Sequence, residues 1–274
     1  MSLSIAFSPC PNDTFIFDAL VNHKIDTEGL GFEVFLEDVE TLNSNALLNK
    51  YDITKISYGA YHKLADEYLI LDSGSALGTG VGPLLISREV IPEDEVANKT
   101  IAIPGENTTA HFLFSLAYPQ ATKKVFLRYD EIERFVLEGQ GLGVIIHENR
   151  FTYKEKGLHA IKDLGSYWEQ TTGNPIPLGC IAVKRTMDAA LRRRLEQLIR
   201  ESIRYAYTKY PLLDEYVRCN AQELSEDVLH SHINLYVNDY SLSLGEKGRG
   251  AVRKLLEVAG NAMHKTVRSD IFSD

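Results

Sequence analysis

Cysteine, positive charge and long apolar runs are all scarce in this chain, and each shortage excludes a class of protein. Only three cysteines, Cys10, Cys180 and Cys219, occur in 274 residues, far apart and without a Cys-x-x-Cys pair. That spacing excludes a disulfide framework and predicts reduced thiols in a cytoplasmic protein. The stretch Met1 to Phe7 has no basic segment or long apolar core and meets Pro9 and Pro11 at once, so it does not read as a secretory signal. No apolar run approaches the length of a bilayer span, so no membrane partner is expected. Acidic residues outnumber basic ones by 38 to 29, a formal net charge of −9, which disfavours nucleic acid and anionic lipid as partners. A local basic pocket for a small anion remains compatible with that balance. Phosphate-loop, dinucleotide and Gly-x-Ser-x-Gly motifs are missing too; the Gly78/Gly80/Gly82 cluster lacks the strand–glycine–helix context of a dinucleotide loop. His23, His62, His159 and His264 have no metal-like spacing. His230 and His232 stand two apart and so face different sides of a helix. Neither a metal nor a cofactor is expected.

What is present is an ordinary apolar fraction, 44%, enough to build a sizeable core without staples. Strand and helix patterns alternate, which predicts an α/β architecture with a largely parallel sheet. Strands are expected at Leu3–Phe7, Phe32–Leu36, Asp52–Ile56, Leu84–Ser87, Thr100–Ile103, Val125–Leu127 and Gly143–Ile146. Helices are expected at about 13–23, 39–49, 58–67, 109–117 and 132–138. A long strand, Ile176–Val183, precedes a C-terminal part that is helical throughout, with Leu191, Leu195, Leu198 and Ile199 on one helix face. Two crossings, near 84–92 and 174–183, bracket a middle unit. They predict a discontinuous outer domain of residues 1–88 plus 180–274 and an inserted domain of residues 89–179, with a cleft between the two. No repeat or low-complexity tract occurs, and no sequence feature specifies an oligomer, although a homodimer is the commonest closed assembly.

Three strand-to-helix turns carry small polar residues: Ser8 to Thr14, Lys55 to Gly59, and Gly105 to Ala110. Each would present free N–H groups at a helix start, where anions are favoured. Ordinary capping by Asp13, Ser57 and Thr108 or Thr109 is the competing reading. Lys55 is either the cation for an anionic ligand or a solvated strand-end residue. The run Gly143-Val144-Ile145-Ile146 reads as a buried strand that delivers His147, followed by Glu148, at its end. A histidine beyond a strand's carboxyl end suits proton transfer near neutral pH. Capping is its alternative. Cys10, between two prolines, has no partner base identifiable from the sequence and reads as a packing residue.

Ser8-Pro9-Cys10-Pro11-Asn12-Asp13-Thr14-Phe15, Lys55-Ile56-Ser57, Pro104-Gly105 with Thr108-Thr109-Ala110-His111, and Gly143 to Glu148 occur here in order. Together they resemble the 1,4-dihydroxy-6-naphthoate synthase family of the futalosine route to menaquinone, over residues 1 to about 185. The resemblance implies a two-lobed, periplasmic-binding-protein-like (type II) α/β fold used as a cytoplasmic, cofactor-independent lyase. The implied substrate is a carboxylate, cyclic dehypoxanthinyl futalosine, and the implied products are dihydroxynaphthoate and dihydroxyacetone. It implies His147 as the proton acceptor and Lys55, Ile56, Ser57, Thr109 and Ala110 as substrate contacts, to which Asn12 and Thr108 are added from the same turns. A solute-binding protein without turnover, normally secreted, and chorismate dehydratase of the same route are the alternatives. The Ser8–Thr14 and His147 motifs favour the naphthoate synthase.

Overall fold

The computed structural model describes residues 2–221, 225–263 and 268–273. His264 lies outside the described residues. Two sheets organise the chain. The strands are β1 (Ser2–Phe7), β2 (Gly31–Leu36), β3 (Ile53–Ser57), β4 (Tyr68–Ile70), β5 (Ala76–Gly78), β6 (Leu84–Ser87), β7 (Ile101–Ile103), β8 (Lys124–Phe126), β9 (Leu142–Ile145), β10 (His159–Asp163) and β11 (Ile176–Lys184). The helices are α1 (Pro11–Val21), α2 (Val39–Leu47), α3 (Tyr61–Leu64), α4 (Thr109–Ala117), α5 (Ile132–Leu137), α6 (Asn149–Thr152), α7 (Leu164–Thr172), α8 (Ala189–Lys209), α9 (Glu215–Asn220), α10 (Glu226–Tyr236), α11 (Asp239–Leu242) and α12 (Gly245–Met263).

The first sheet has the order β2-β1-β3-β11-β4, with β5 also paired to β11; the second has the order β10-β6-β9-β7-β8. Within the first sheet β1 runs parallel to β2 and β3, whereas β11 is antiparallel to β3. In the second, β7 is parallel to β8 and β9, whereas β6 is antiparallel to β9. The mixed pairing qualifies the expected parallel sheet: β6, which enters the second unit, runs against its βαβ core, and β11, which returns to the first sheet, runs against β3.

Strand membership locates the two passages between the sheets. β6 pairs with β9 and β10 in the second sheet, so the chain leaves the first sheet before Leu84. It returns by Ile176, where β11 meets β5. A short apolar run such as Leu84-Leu85-Ile86 announces burial but not which sheet buries it. At the outward crossing the chain passes very close to the start of α7: a Cβ on Gly82 would lie 2.2 Å from the Gly165 Cα. Arg150 ties the same place, donating to the Gly80 carbonyl at 3.0 Å and to Asp163 at 2.6 Å.

One buried cluster runs through both units and includes Tyr58, Leu85, Ile103, Leu113, Trp168 and Leu255. A second, with Ile5, Phe17, Leu20, Leu195 and Ile199, seats α1 and α8 against the first sheet. The leucine face predicted on α8 is therefore a core face. The two units also meet at a polar seam. Asn107, in the loop before α4, donates its N–H to Glu40 at 2.9 Å, and its carbonyl accepts from Asn43 at 2.8 Å. Beside it the turn at Gly59 packs on α4, where an added Cβ would lie 2.8 Å from the Thr109 Cα. Gly59→Ala must push turn and helix apart, and an overpacking cost of about 1–3 kcal/mol is expected in urea denaturation. An unchanged unfolding midpoint would mean that the seam yields without resistance.

Candidate active site

One pocket of about 710 Å³ of empty space, open mouth included, lies between the units. Asn12, Lys55, Ile56, Ser57, Thr108, Thr109, Ala110 and His147 all line it. The structure thus places these eight residues at one pocket, from the ends of β1 and β3 on one side and of β7 and β9 on the other. Val39, Leu42, Val81, Pro83 and Leu178 supply apolar walls, and His232 and Tyr236 close one side.

His147 follows β9 by two residues and sits at φ 57°, in the left-handed region that a non-glycine residue enters only at a cost. Its Nδ1 lies 3.3 Å from the Cys10 sulfur. The Tyr129 ring is tilted against it at 4.9 Å between centroids, and the His232 ring lies near-parallel at 6.1 Å. Burial drives the His147 imidazole down to about 4, a shift that the nearby Asp13 carboxylate only partly opposes. The ring is therefore neutral at pH 7 and keeps one nitrogen lone pair, as a base requires. Burial likewise pushes the Cys10 thiol well above its ordinary value, so this cysteine is protonated rather than an activated nucleophile.

Lys55 is neither a solvated residue nor a free cation. It lies within β3, an interior strand, and its ammonium meets the Asp13 carboxylate at 2.7 Å with both side chains buried. Asp13 also accepts from the Ser8 N–H and hydroxyl at 3.2 and 2.8 Å and from the Asn12 amide at 2.8 Å. It is consequently not the cap of α1, which begins two residues earlier with proline at its first position. Proline's missing N–H costs nothing there, and that frees the Asp13 carboxylate for the lysine. Asn12 is committed as well, its Oδ1 lying 3.0 Å from His232 Nε2.

The turns differ in what they leave open. Ser57 forms no side-chain cap; its N–H donates to Asn43 Oδ1 at 2.8 Å and its hydroxyl oxygen accepts from the same amide at 3.0 Å. That hydroxyl still has its own proton to give. Thr108 caps α4 by accepting from the His111 N–H at 3.1 Å. The Thr109 hydroxyl is spent, donating to the Leu178 carbonyl at 2.6 Å and accepting from the Gly59 N–H at 3.0 Å. The main-chain N–H groups of Thr109 and Ala110, first in the helix, have no intrahelical acceptor and form the positive end of its dipole.

Sequence reasoning missed His232 and Glu148. His232 is wholly buried, and burial, reinforced by His147, holds its pKa well below the ordinary value. Its Nδ1 lies 3.6 Å from Glu148 Oε1. The spacing from His230 carried no signal because His232 takes its partners from residues 12, 147 and 148, not from its own helix. Among the described residues no helix is long and apolar enough to cross a membrane.

The profile of a family described as menaquinone biosynthesis matches residues 3–261. A protein of Thermus thermophilus named 1,4-dihydroxy-6-naphtoate synthase is 46% identical over 94% of this chain and 94% of its own length. A Streptomyces coelicolor protein of the same name is 39% identical, covering 93% and 92%. The aliphatic sulphonate binding protein SsuA of Escherichia coli superposes with a TM-score of 0.65 at 13% identity, covering 98% of this chain and 90% of that one. At that identity the likeness concerns the fold alone, and it agrees with the two-lobed periplasmic-binding-protein-like architecture expected from the sequence. By the extent of the profile match and the identity to both relatives, the chain belongs to the menaquinone biosynthesis family.

Proposed function

We propose that the protein is a 1,4-dihydroxy-6-naphthoate synthase, a cytoplasmic carbon–carbon lyase that acts on cyclic dehypoxanthinyl futalosine and releases dihydroxyacetone. The observation that carries this reading is 46% identity to a synthase of that name across nearly the whole chain. The pocket chemistry supports it. Ring opening beside a ketone needs a proton taken from an acidified carbon, after which the carbon–carbon bond breaks and its electrons pass into the carbonyl. Formation of the aromatic ring drives the sequence forward. The protein has to supply a base, an anchor for the substrate carboxylate and exclusion of water. His147 is assigned the first task. The N–H groups of Thr109 and Ala110, with the Ser57 hydroxyl, are assigned the second. The apolar walls between two lobes, residues 1 to about 83 with the C-terminal part and the unit between, are assigned the third.

Incubation of the purified protein with the cyclic futalosine derivative should yield dihydroxynaphthoate by mass analysis. Binding without product would instead favour a solute-binding role. The protonation state of His147 also predicts a pH profile. Its folded pKa of about 4 lies below the ordinary 6.5, so the base stays competent as pH falls through 6.5. kcat/KM should therefore stay flat from about pH 8 down to about pH 5. An acid limb centred near pH 6.5 would remove His147, in this environment, as the titrating base. The same depression links stability to pH: its contribution is complete above pH 6.5 and is lost as pH falls towards 4.

A further inference from the structure

Around His147, three donor groups gather from two parts of the chain, and a fourth, on His232, stands beside Glu148. The Cys10 sulfur, a ring nitrogen of His147 and a carboxylate oxygen of Glu148 all lie within 4.8 Å of one another. The closest pair, Cys10 sulfur to His147 Nδ1, is 3.3 Å apart, and His232 Nδ1 approaches Glu148 Oε1 at 3.6 Å. Ligands around a tetrahedral zinc, with bonds of about 2.3 Å to sulfur and about 2.0 Å to nitrogen, stand roughly 3.5 Å apart. Two of the contacts already have that spacing.

The set has the composition and support of a soft-metal site. His232 Nε2 faces the Asn12 amide oxygen, and Asn12 cannot flip because its NH₂ is held by Asp13. Nε2 must therefore carry the proton, which leaves the lone pair on Nδ1. That nitrogen is buried and has no hydrogen-bond partner among the described residues. Fixing the tautomer of a ligating histidine through its other ring nitrogen is the usual outer-shell arrangement of metal sites. Charge is balanced as well. A dication bound by one thiolate, one carboxylate and two neutral imidazoles is neutral overall, which a buried site demands. The adjacent Lys55–Asp13 pair is itself neutral. The thiol, kept protonated in the metal-free protein, would lose its proton on binding.

We propose that Cys10, His147, Glu148 and His232 form an inhibitory site for a zinc-class divalent cation. A cation on Nδ1 takes up one ring lone pair of His147 and leaves Nε2 protonated, so the ring can no longer accept a proton from substrate. The inhibitory consequence rests on the synthase reading; the binding does not. The separation of the donors, at positions 10, 147, 148 and 232, explains why the sequence predicts no metal.

Titration of the reduced full-length protein with cobalt(II) tests the binding. One equivalent should produce a thiolate-to-metal charge-transfer absorption, retained in Cys219→Ser and lost in Cys10→Ser. No such band in the wild type, or a band lost only with the exposed Cys219, would overturn the site. X-ray absorption of the zinc-loaded wild type is independent of any variant's folding and should show one sulfur at about 2.3 Å among nitrogen and oxygen neighbours; a shell without sulfur would also overturn it. His232→Ala should weaken cobalt affinity at least 10-fold, and unchanged affinity would remove it from the ligand set. Turnover of the cyclic futalosine derivative should fall with zinc and return with a chelator. A protein that binds cobalt through Cys10 yet never turns this compound over would refute the synthase reading and leave the metal site standing. Full activity with zinc bound would refute inhibition alone.

Discussion

Replacing His147 with alanine is expected to lower kcat on the cyclic futalosine derivative by about 10²–10⁴-fold, the contribution of a well-placed general base. KM should change little, because the proposed anchors for the carboxylate belong to α4 and β3. The fold should survive. His147 lies in the left-handed region at φ 57°, so the wild-type residue already holds a strained backbone. His147→Gly relieves that strain and should unfold at an equal or higher urea concentration while losing turnover to the same degree. Loss of activity with preserved stability separates chemistry from packing. Wild-type turnover in either variant would dismiss His147 as the base.

Lys55→Met is expected to cost about 3–5 kcal/mol in equilibrium unfolding, the range for removing one partner of a buried ion pair. Methionine matches the lysine stem in length but leaves the Asp13 carboxylate buried, with only the neutral donors of Ser8 and Asn12 around it. Adding Asp13→Asn should recover much of the loss, since the isolated charge is then gone. A single-variant cost below about 1 kcal/mol would mean that water reaches the carboxylate and that the pair is not the buried unit described here. The pair also decides what the pocket offers a ligand. A lysine already neutralised by aspartate contributes little net charge, which is why the proposal above assigns the carboxylate to N–H groups at the start of α4.

Much of this was legible in local sequence. The β1, β2, β7 and β9 runs are apolar or alternating, and α4 begins where Thr108 supplies an N-cap. The strands β4, β5 and β10 were not, because their pairing is to β11 and β6, distant in the chain. Nor was it legible at Leu84 which sheet the strand joins, because an apolar run of three residues does not say what buries it. Asp13 reads as a cap in any local window. Only when β3 lies beside β1 does Lys55 come within reach of it.

By itself the sequence determined the α/β class, the identity of the turns that meet at the pocket and the presence of a histidine after a buried strand. Those follow from periodicity, turn chemistry and ordered motifs, which act within about ten residues. Tertiary structure alone decided the state of those groups. Burial set the neutral His147, the Lys55–Asp13 contact removed the free cation, and the approach of residues 10, 148 and 232 surrounded His147 with sulfur, carboxylate and imidazole. Desolvation and pairing are properties of an enclosed volume, and this volume is assembled from segments more than 200 residues apart.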